Sequence, residues 1–435
     1  MRGRIAVWAV AWALSLLFAG QACADGVAYG ARTYSSLQRV YQHEQRAAIV
    51  HQDGIERLVI AVDLSLEDED KGLWIFPVPG RPEDVEVDVL DRFPEFSGKD
   101  VRGQAWQEVH AFMSLAMATQ VYPIFFLRYF MSHAGGPAEP PVAASLHNEI
   151  EKWGIHAEVI TAGSLNALAE YLQSKEARLA EEDLQTFAPY LSDEYVLVLA
   201  WIASREELEA EFPDYLRRGS RAMGRWPCLY VEFPTERAFY PLQPTRAYGS
   251  TLFPIWVYVV GYVRAEAHEL VRKRFRVAYC EQDGFPADTP ERFVRGLPEG
   301  SVRFTVIGRS HVDVNKLTFD LWLEPYHPPL IGLAKAIHSL SRPLVAVLLW
   351  VLVVAGFSYV SAGVTAAIIH AKWKPYARLG LWNLLTLIAF AIAVALYRSE
   401  DGEPMPHRFA FLFWFSLVYI MLTGCVKSFL MAMLS

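Results

Sequence analysis

Three apolar segments crowd the last 93 residues of this chain: Leu344 to Ala371, Leu379 to Tyr397, and Phe409 to about Val426 and on toward residue 430. Each exceeds or approaches the ~20 residues that a helix needs to cross a hydrocarbon core. Only nine side chains in this tail are charged. The other end of the chain is constrained as tightly. Arg2 and Arg4 open it, Ile5 to Ala19 is uninterruptedly apolar, and Ala22, Cys23 and Ala24 form a small-residue site. This pattern reads as a secretory signal peptide over residues 1–24, cleaved between Ala24 and Asp25. The competing reading, a lipoprotein signal that acylates Cys23, wants leucine where Gly20 stands.

These two ends explain a composition that fits no single class. The 435 residues are 53% hydrophobic and 20% charged, with a net charge of −8. A disordered chain needs low hydrophobicity, a collagen-like chain needs a glycine period, and a polytopic transporter rarely keeps 88 charged residues. Residues 25–342 carry 32 basic and 45 acidic side chains, a net −13, and about a quarter of them are charged, as in a soluble domain. An acidic soluble portion thus precedes an apolar tail. The same balance argues against nucleic acid as a partner, because phosphate binding draws on clustered Lys and Arg.

Lys372, Lys374 and Arg378 follow the first apolar segment, whereas the loop from Arg398 to Arg408 contains three acids. The positive-inside rule makes the first loop cytoplasmic, in agreement with a signal that exports what precedes it. The expectation is an ectodomain in the periplasm or exterior, three transmembrane helices (344–371, 379–397, 409–430) in the inner or cytoplasmic membrane, and a cytoplasmic C-terminus with Lys427 snorkelling toward the inner face. Ala111 to Leu127 adds 17 residues without a charge. As a fourth span it would place residues 140–330 in the cytoplasm. Gln120 and Pro123 interrupt it and Arg128 closes it, so a buried core helix of the ectodomain is the favoured reading. No Asp, Glu, Arg or His lies deep in the three spans, which argues against a transporter or pump acting alone. Ser358, Ala362 and Ala366, with Ala389 and Ala393, have the spacing that lets helix backbones approach, for anchorage or for docking a membrane-protein partner.

Strand-like runs recur through the ectodomain at Arg57 to Asp63, Leu73 to Val78, Tyr195 to Ile202, Leu229 to Phe233, Ile255 to Val263, Arg303 to Ile307 and Leu317 to Leu323. Trp106 to Gln120 has helical periodicity, and Ser164 is placed to cap a helix with the face Leu165, Leu168, Tyr171 and Leu172. The fold class is α+β: a mixed-sheet exported ectodomain followed by a C-terminal three-helix transmembrane region. The Gly- and Pro-rich stretch 133–144 is the best linker, dividing an N-terminal lobe (25–132) from a C-terminal lobe (145–329). Residues 330–343 form a juxtamembrane amphipathic segment.

Of four cysteines, Cys228 and Cys280 are the only exported pair. In an oxidising compartment a disulfide is expected, and it would stabilise by ~4 kcal/mol in the chain-entropy model. It would also bring together two basic clusters, Arg217, Arg218, Arg221 and Arg225 with Arg272, Lys273, Arg274 and Arg276, as a surface for an anion or an acidic partner. The alternative for these clusters is ordinary solvated faces. Catalytic templates fail. His43-Glu44 and His268-Glu269 do not complete H-E-x-x-H, the acidic run Glu67 to Asp70 lacks calcium-loop spacing, and no G-x-S-x-G, S-x-x-K or phosphate-cradling glycine loop occurs. No cofactor or metal is implied.

Asp53-Gly54, the run Leu58 to Leu64, and Leu73-Trp74-Ile75-Phe76-Pro77-Val78-Pro79 with Pro82 resemble an uncharacterised bacterial exported family, domain of unknown function 2330, whose hallmark is an apolar strand ending in Trp-x-x-Pro-x-Pro. Gly154 to Ile160 with Ala162, Ala167-Leu168 and Tyr171-Leu172 is similar to its central strand and helix, and Phe233-Pro234 with Tyr240-Pro241-Leu242 to its later strand pair. The resemblance covers residues 45–265. Asp25 to Tyr34 lacks the cysteines many relatives carry after the signal. The resemblance implies an exported, often membrane-anchored domain with no established activity. Independently of it, Trp74 is expected to face the core, and Pro77 and Pro79 to stop the strand. The leading expectation is a cell-envelope membrane protein whose ectodomain acts by binding, as scaffold or sensor. The alternatives are a membrane-tethered envelope hydrolase and an accessory subunit of a transport complex; the oligomeric state is open.

Overall fold

A strand that reads as an unbroken apolar run is buried on both faces, and Tyr195–Ile202 shows how this chain uses that. In the computed structural model Val196, Val198 and Ala200 enter one hydrophobic core, and Leu197 and Leu199 enter a second on the opposite face. The structure describes residues 27–31, 38–39, 45–61, 71–118, 145–146, 149–175, 177–213, 226–249, 252–341, 343–369, 373–384, 387–396 and 408–434. The signal peptide with Ala24 and Asp25, the acidic run 67–70, the expected linker and Arg217, Arg218, Arg221 and Arg225 lie outside them.

The strands are β1 (Val27–Ala31), β2 (Gln38–Arg39), β3 (Gln45–Gln52), β4 (Ile55–Ala61), β5 (Lys71–Pro79), β6 (Glu86–Leu90), β7 (Lys99–Asp100), β8 (Ser145–Leu146), β9 (Glu149–Lys152), β10 (Ile155–Ile160), β11 (Tyr195–Ile202), β12 (Cys228–Pro234), β13 (Ala238–Tyr240), β14 (Leu252–Val260), β15 (Val263–Ala265), β16 (Arg276–Gln282), β17 (Val302–Asp313) and β18 (Leu321–Pro325). The helices are α1 (Val101–Ala118), α2 (Leu165–Ser174), α3 (Glu181–Leu184), α4 (Arg205–Glu211), α5 (His268–Arg274), α6 (Glu291–Val294), α7 (Ile331–Leu340), α8 (Pro343–Ile368), α9 (Trp373–Gly380), α10 (Leu387–Leu396) and α11 (Arg408–Leu434).

The chain divides into two units, one made of residues up to Gly98 together with Glu139–His327, the other of Lys99–Ala138 and Pro328–Ser435. The first is β-rich. An antiparallel sheet runs in the order β2-β1-β5-β11-β10-β9. A larger mixed sheet carries β16-β17-β14-β3-β4-β12-β6-β8, with β14 and β3 parallel, and β13-β18-β15 form a third. Alternation along the strands sends Trp74, Phe76 and Val78 of β5 into one core together with Ile49, Leu58, Val87, Val231 and Val257 of the larger sheet. The outer face of the six-stranded sheet is covered by Leu168 and Leu172 of α2 with Phe187 and Tyr190. Ser164 caps α2 as expected, its Oγ accepting from the amide of Ala167 at 3.1 Å.

This architecture corrects the two-lobe expectation. β5 pairs with β11, and β4 and β6 both flank β12, so strands from either side of residues 133–144 share the same sheets. Trp74 is buried, as expected. Pro77 does not stop the strand, because β5 runs on to Pro79 with Pro77 opposite Leu197. The amide of Gly80 bonds back to Glu194, at the start of β11, so alternation turns the nitrogens of residues 77 and 79 toward the other edge. Their lack of an N–H therefore removes no bond from the β5–β11 ladder.

The second unit is helical. Among the described residues, α8 and α11 contain the two segments long and apolar enough to cross a membrane, Val345–Ile368 and Ala410–Met433. The expected middle span is broken instead: α9 ends at Gly380, a 3-10 turn covers Leu381–Leu384, and α10 has ten residues, about 15 Å. Ser358, Ala362 and Ala366 are buried, and at Gly380 an added Cβ would lie 2.5 Å from the Ser358 carbonyl oxygen. The small-residue spacing thus serves contact within the chain.

α1 belongs to this unit, which corrects its placement in the ectodomain core. Val101, Ala105, Val109, Met113 and Ala116 form its buried stripe. His338 of α7 stands 2.7 Å from Glu108, the Tyr419 hydroxyl donates to the Ala116 carbonyl at 3.0 Å, and Lys427 donates to Ser114 at 2.9 Å. Apolar periodicity shows that a helix has a buried face; it carries nothing about which core receives it.

Candidate functional site

Two polar clusters stand out in the β-rich unit. The first lies across β4, β12 and β6, where the register aligns Arg57, Glu232 and Glu86 in one row and Val59, Tyr230 and Asp88 in the next. Asp88 is fully buried, and Arg292 of α6 reaches it at 2.6 Å while its second nitrogen holds Glu86 at 2.7 Å. Lys152 stands 3.7 Å from Asp88 and donates to the Val89 carbonyl at 2.9 Å. Arg57 donates to the Phe293 carbonyl at 3.0 Å, to that of Arg295, and to Gln52 at 3.2 Å. Arg57 therefore fixes the C-terminal end of α6, and α6 in turn aims Arg292. Burial draws the Arg57 and Lys152 pKa values down, opposed on Lys152 by Asp88. Burial and the bond to Glu232 push the Tyr230 hydroxyl up, so it stays protonated and donates to that carboxylate. Every charge here faces an opposite charge or a carbonyl, which is the chemistry of a structural lock.

The second cluster is on the outer face of the six-stranded sheet. His156 and Glu158 alternate on β10 and so share a face, and Tyr171 with Lys175 follow at helical spacing on and just after α2. The Glu158 carboxylate accepts from the Tyr171 hydroxyl and, at 3.2 Å, from Lys175; His156 Nε2 is 3.6 Å away. Trp201, opposite His156 on β11, stacks on the imidazole at 4.2 Å between centroids and lies 4.9 Å from the Lys175 ammonium. A carboxylate, an imidazole, a phenol and an ammonium thus meet over one indole beside the edge strand β9. The grouping presents both a carboxylate and an ammonium beside an aromatic face, the chemistry that polar or charged ligands require. Sequence templates missed it. The available signal was His-x-Glu on a strand followed by Tyr-x-x-x-Lys on the helix after it.

A third buried acid is Glu56, whose Oε2 accepts from the Phe239 amide at 2.6 Å. Burial raises its pKa well above the usual carboxylate range, against that amide bond. Among the described residues no group of three His, Cys, Asp or Glu side chains is arranged to hold a metal ion.

Cys228 on β12 and Cys280 on β16 are both buried against the same aromatic face of the larger sheet, yet no disulfide joins them. β17, β14, β3 and β4 separate their strands. Five strand steps of about 4.8 Å far exceed the ~4.4–6.8 Å between Cα atoms that a disulfide tolerates. The expected pairing is thereby corrected, and with it the route by which it would join the basic clusters. Arg272, Lys273 and Arg276 are exposed and Arg274 half-buried, at the end of α5 and the start of β16. No protein-family model matches the chain, and neither curated proteins nor solved structures give a significant match.

Proposed function

We propose that the chain is a membrane-anchored protein of the bacterial cell envelope whose β-rich unit works outside the cytoplasm by binding, as a scaffold or sensor. The observation that carries this reading is α1. The α1 segment lies in sequence between strands of the β-rich unit yet belongs to the helical unit, so three chain connections join the units: after Gly98, between residues 118 and 145, and before Pro328. An anchor needs one connection, and three are more than tethering requires. The signal-like N-terminus, the two apolar helices and the resemblance to domain of unknown function 2330 support the same reading. The first polar cluster, in which Arg292 bridges Glu86 and Asp88, is built as a structural lock, and the second gathers a carboxylate, an ammonium and an indole on one sheet face, which suits binding. The test is crosslinking in intact cells with identification of the captured chains. A specific envelope partner, lost when Glu158 and Trp201 are replaced together by Gln and Ala, is the expected result; an unchanged crosslink pattern overturns the role of that surface, and a lone monomer overturns the scaffold.

A further inference from the structure

We infer that α8 and α11 cross the bilayer in opposite directions, with α9 and α10 entering and leaving through one face, so that the C-terminus returns to the side on which α8 begins. This rests on the membrane reading above. The inference comes from helix direction. Phe357, midway along α8, packs edge-on against Tyr419 at 6.3 Å. α9 follows the end of α8 and climbs back along it, since Gly380 stands against Ser358 and Ala362 and Asn383 donates to the Ser358 hydroxyl at 3.0 Å. Tyr376, one turn before Gly380, is therefore nearer the C-terminal end of α8, and it packs on Phe411 at 5.0 Å. The early part of α11 thus lies beside the late part of α8, and Tyr419 beside the middle of α8. The two helices are antiparallel.

α1 gives the same answer independently. Its Glu108 meets His338 of α7, just ahead of α8, and its Ser114 meets Lys427, near the end of α11. The late part of α11 is accordingly on the side where α8 begins. α7 has ten residues, about 15 Å, too short for a ~30 Å core, so α8 begins on the side of the β-rich unit. α8, at 26 residues, carries the chain across, and α11, at 27, carries it back. Residues 373–396 then make no net crossing. α9 rises to mid-depth, a 3-10 turn covers Leu381–Leu384, and Val394 near the end of α10 shares a cluster with Tyr376 and with Phe411 at the start of α11. A broken helix within a bilayer needs protein cover for its freed backbone groups. Here the cover is the Ser358, Ser361, Ala362, Thr365 and Ala366 face of α8, all fully buried, with Asn383 buried against it. Lys427 consequently sits in the half of the bilayer where α8 begins, bonded to Ser114, and not at the inner face.

The test is cysteine accessibility in the full-length protein with Cys425→Ser as the parent, since Cys228 and Cys280 are buried. Ser435→Cys, Asp401→Cys and Glu299→Cys, the last exposed in the β-rich unit, are each labelled with a membrane-impermeant maleimide in intact spheroplasts and after permeabilisation. The expected result is labelling of 435 and 299 in intact spheroplasts and at least a tenfold gain at 401 on permeabilisation. Labelling of 401 and 299 with 435 protected is the three-crossing pattern and overturns the inference, as does finding 401 and 435 on one side. Protection of 299 and 435 with 401 labelled keeps the two-crossing fold and overturns the exported orientation instead. Reporter-enzyme fusions after residues 401 and 435 give the same readout without new thiols.

Discussion

Replacing Arg292 by methionine tests whether the network on β4, β12 and β6 is a structural lock. Arg292 bridges Glu86 and Asp88, and the Asp88 side chain is 0% exposed against 32% for Arg292. Removing one partner of a buried pair costs about 3–5 kcal/mol, because the other charge is left buried. Two features reduce that figure: Arg292 is a third exposed, and Lys152 remains 3.7 Å from Asp88. The expected loss is therefore about 2–3 kcal/mol. Asp88→Asn alone leaves Arg292 with Glu86 and costs about 1–2 kcal/mol. The double substitution removes the buried carboxylate together with the guanidinium that pairs with it, so its cost falls below the sum of the two by about 1–2 kcal/mol of coupling. Urea unfolding of the detergent-solubilised full-length protein, followed by tryptophan fluorescence, measures all four corners of the cycle. A loss under about 0.5 kcal/mol for Arg292→Met, or strict additivity in the double variant, refutes the lock.

Three further outcomes follow from the same geometry. Glu56 has a folded-state pKa raised by burial, so its contribution is full below its ordinary value of 4.5 and is lost as pH rises through the raised value. Glu56→Gln keeps an acceptor for the Phe239 amide and should raise Tm at pH 8–9 relative to the parent while leaving pH 4 nearly unchanged; parallel melting curves across pH count against it. Gly154 has φ +76° and an added Cβ would fall 2.0 Å from the Ser204 carbonyl oxygen, so Gly154→Ala should cost roughly 3 kcal/mol or more in unfolding, and a neutral result contradicts the β10 turn geometry. Intact-mass analysis without reductant should find Cys228 and Cys280 unreactive to an alkylating agent in the native protein and both alkylated in urea; a mass two protons lower that resists alkylation indicates the disulfide instead.

What the sequence made legible was local. Tyr195–Ile202 reads apolar throughout because two cores share it, and Ser164 announces α2 because its hydroxyl has an amide to satisfy. Non-local choices left no such trace. β5 and β11 lie more than a hundred residues apart, and nothing in either run names the other. The Cys228–Cys280 expectation failed for the same reason: compartment and count favour a bond, but four intervening strands decide the distance. Pro77 reads as a strand stop because a proline costs a ladder bond, and only the register with β11 shows that its nitrogen faces away from that partner. Glu158 and Lys175 carry the candidate surface, yet each looks like an ordinary surface charge until the sheet and α2 bring them over Trp201.

The two-crossing arrangement also changes how the charges near the membrane are weighed. Counting net charge, the acids at Glu400, Asp401 and Glu403 offset Arg398 and Arg408, and the second loop looks external. The positive-inside rule counts Lys and Arg, with Asp and Glu contributing little. By that count a three-crossing chain exports Arg398 and Arg408, whereas a two-crossing chain keeps Lys372, Lys374, Arg378, Arg398 and Arg408 together on the cytoplasmic side, against Lys335 and Arg342 ahead of α8 and Lys427, within α11 and bonded to Ser114, on the other. Helix direction and basic-residue distribution then agree, and the two polar interruptions of the apolar tail, the break after Gly380 and Lys427, each have a partner on a neighbouring helix.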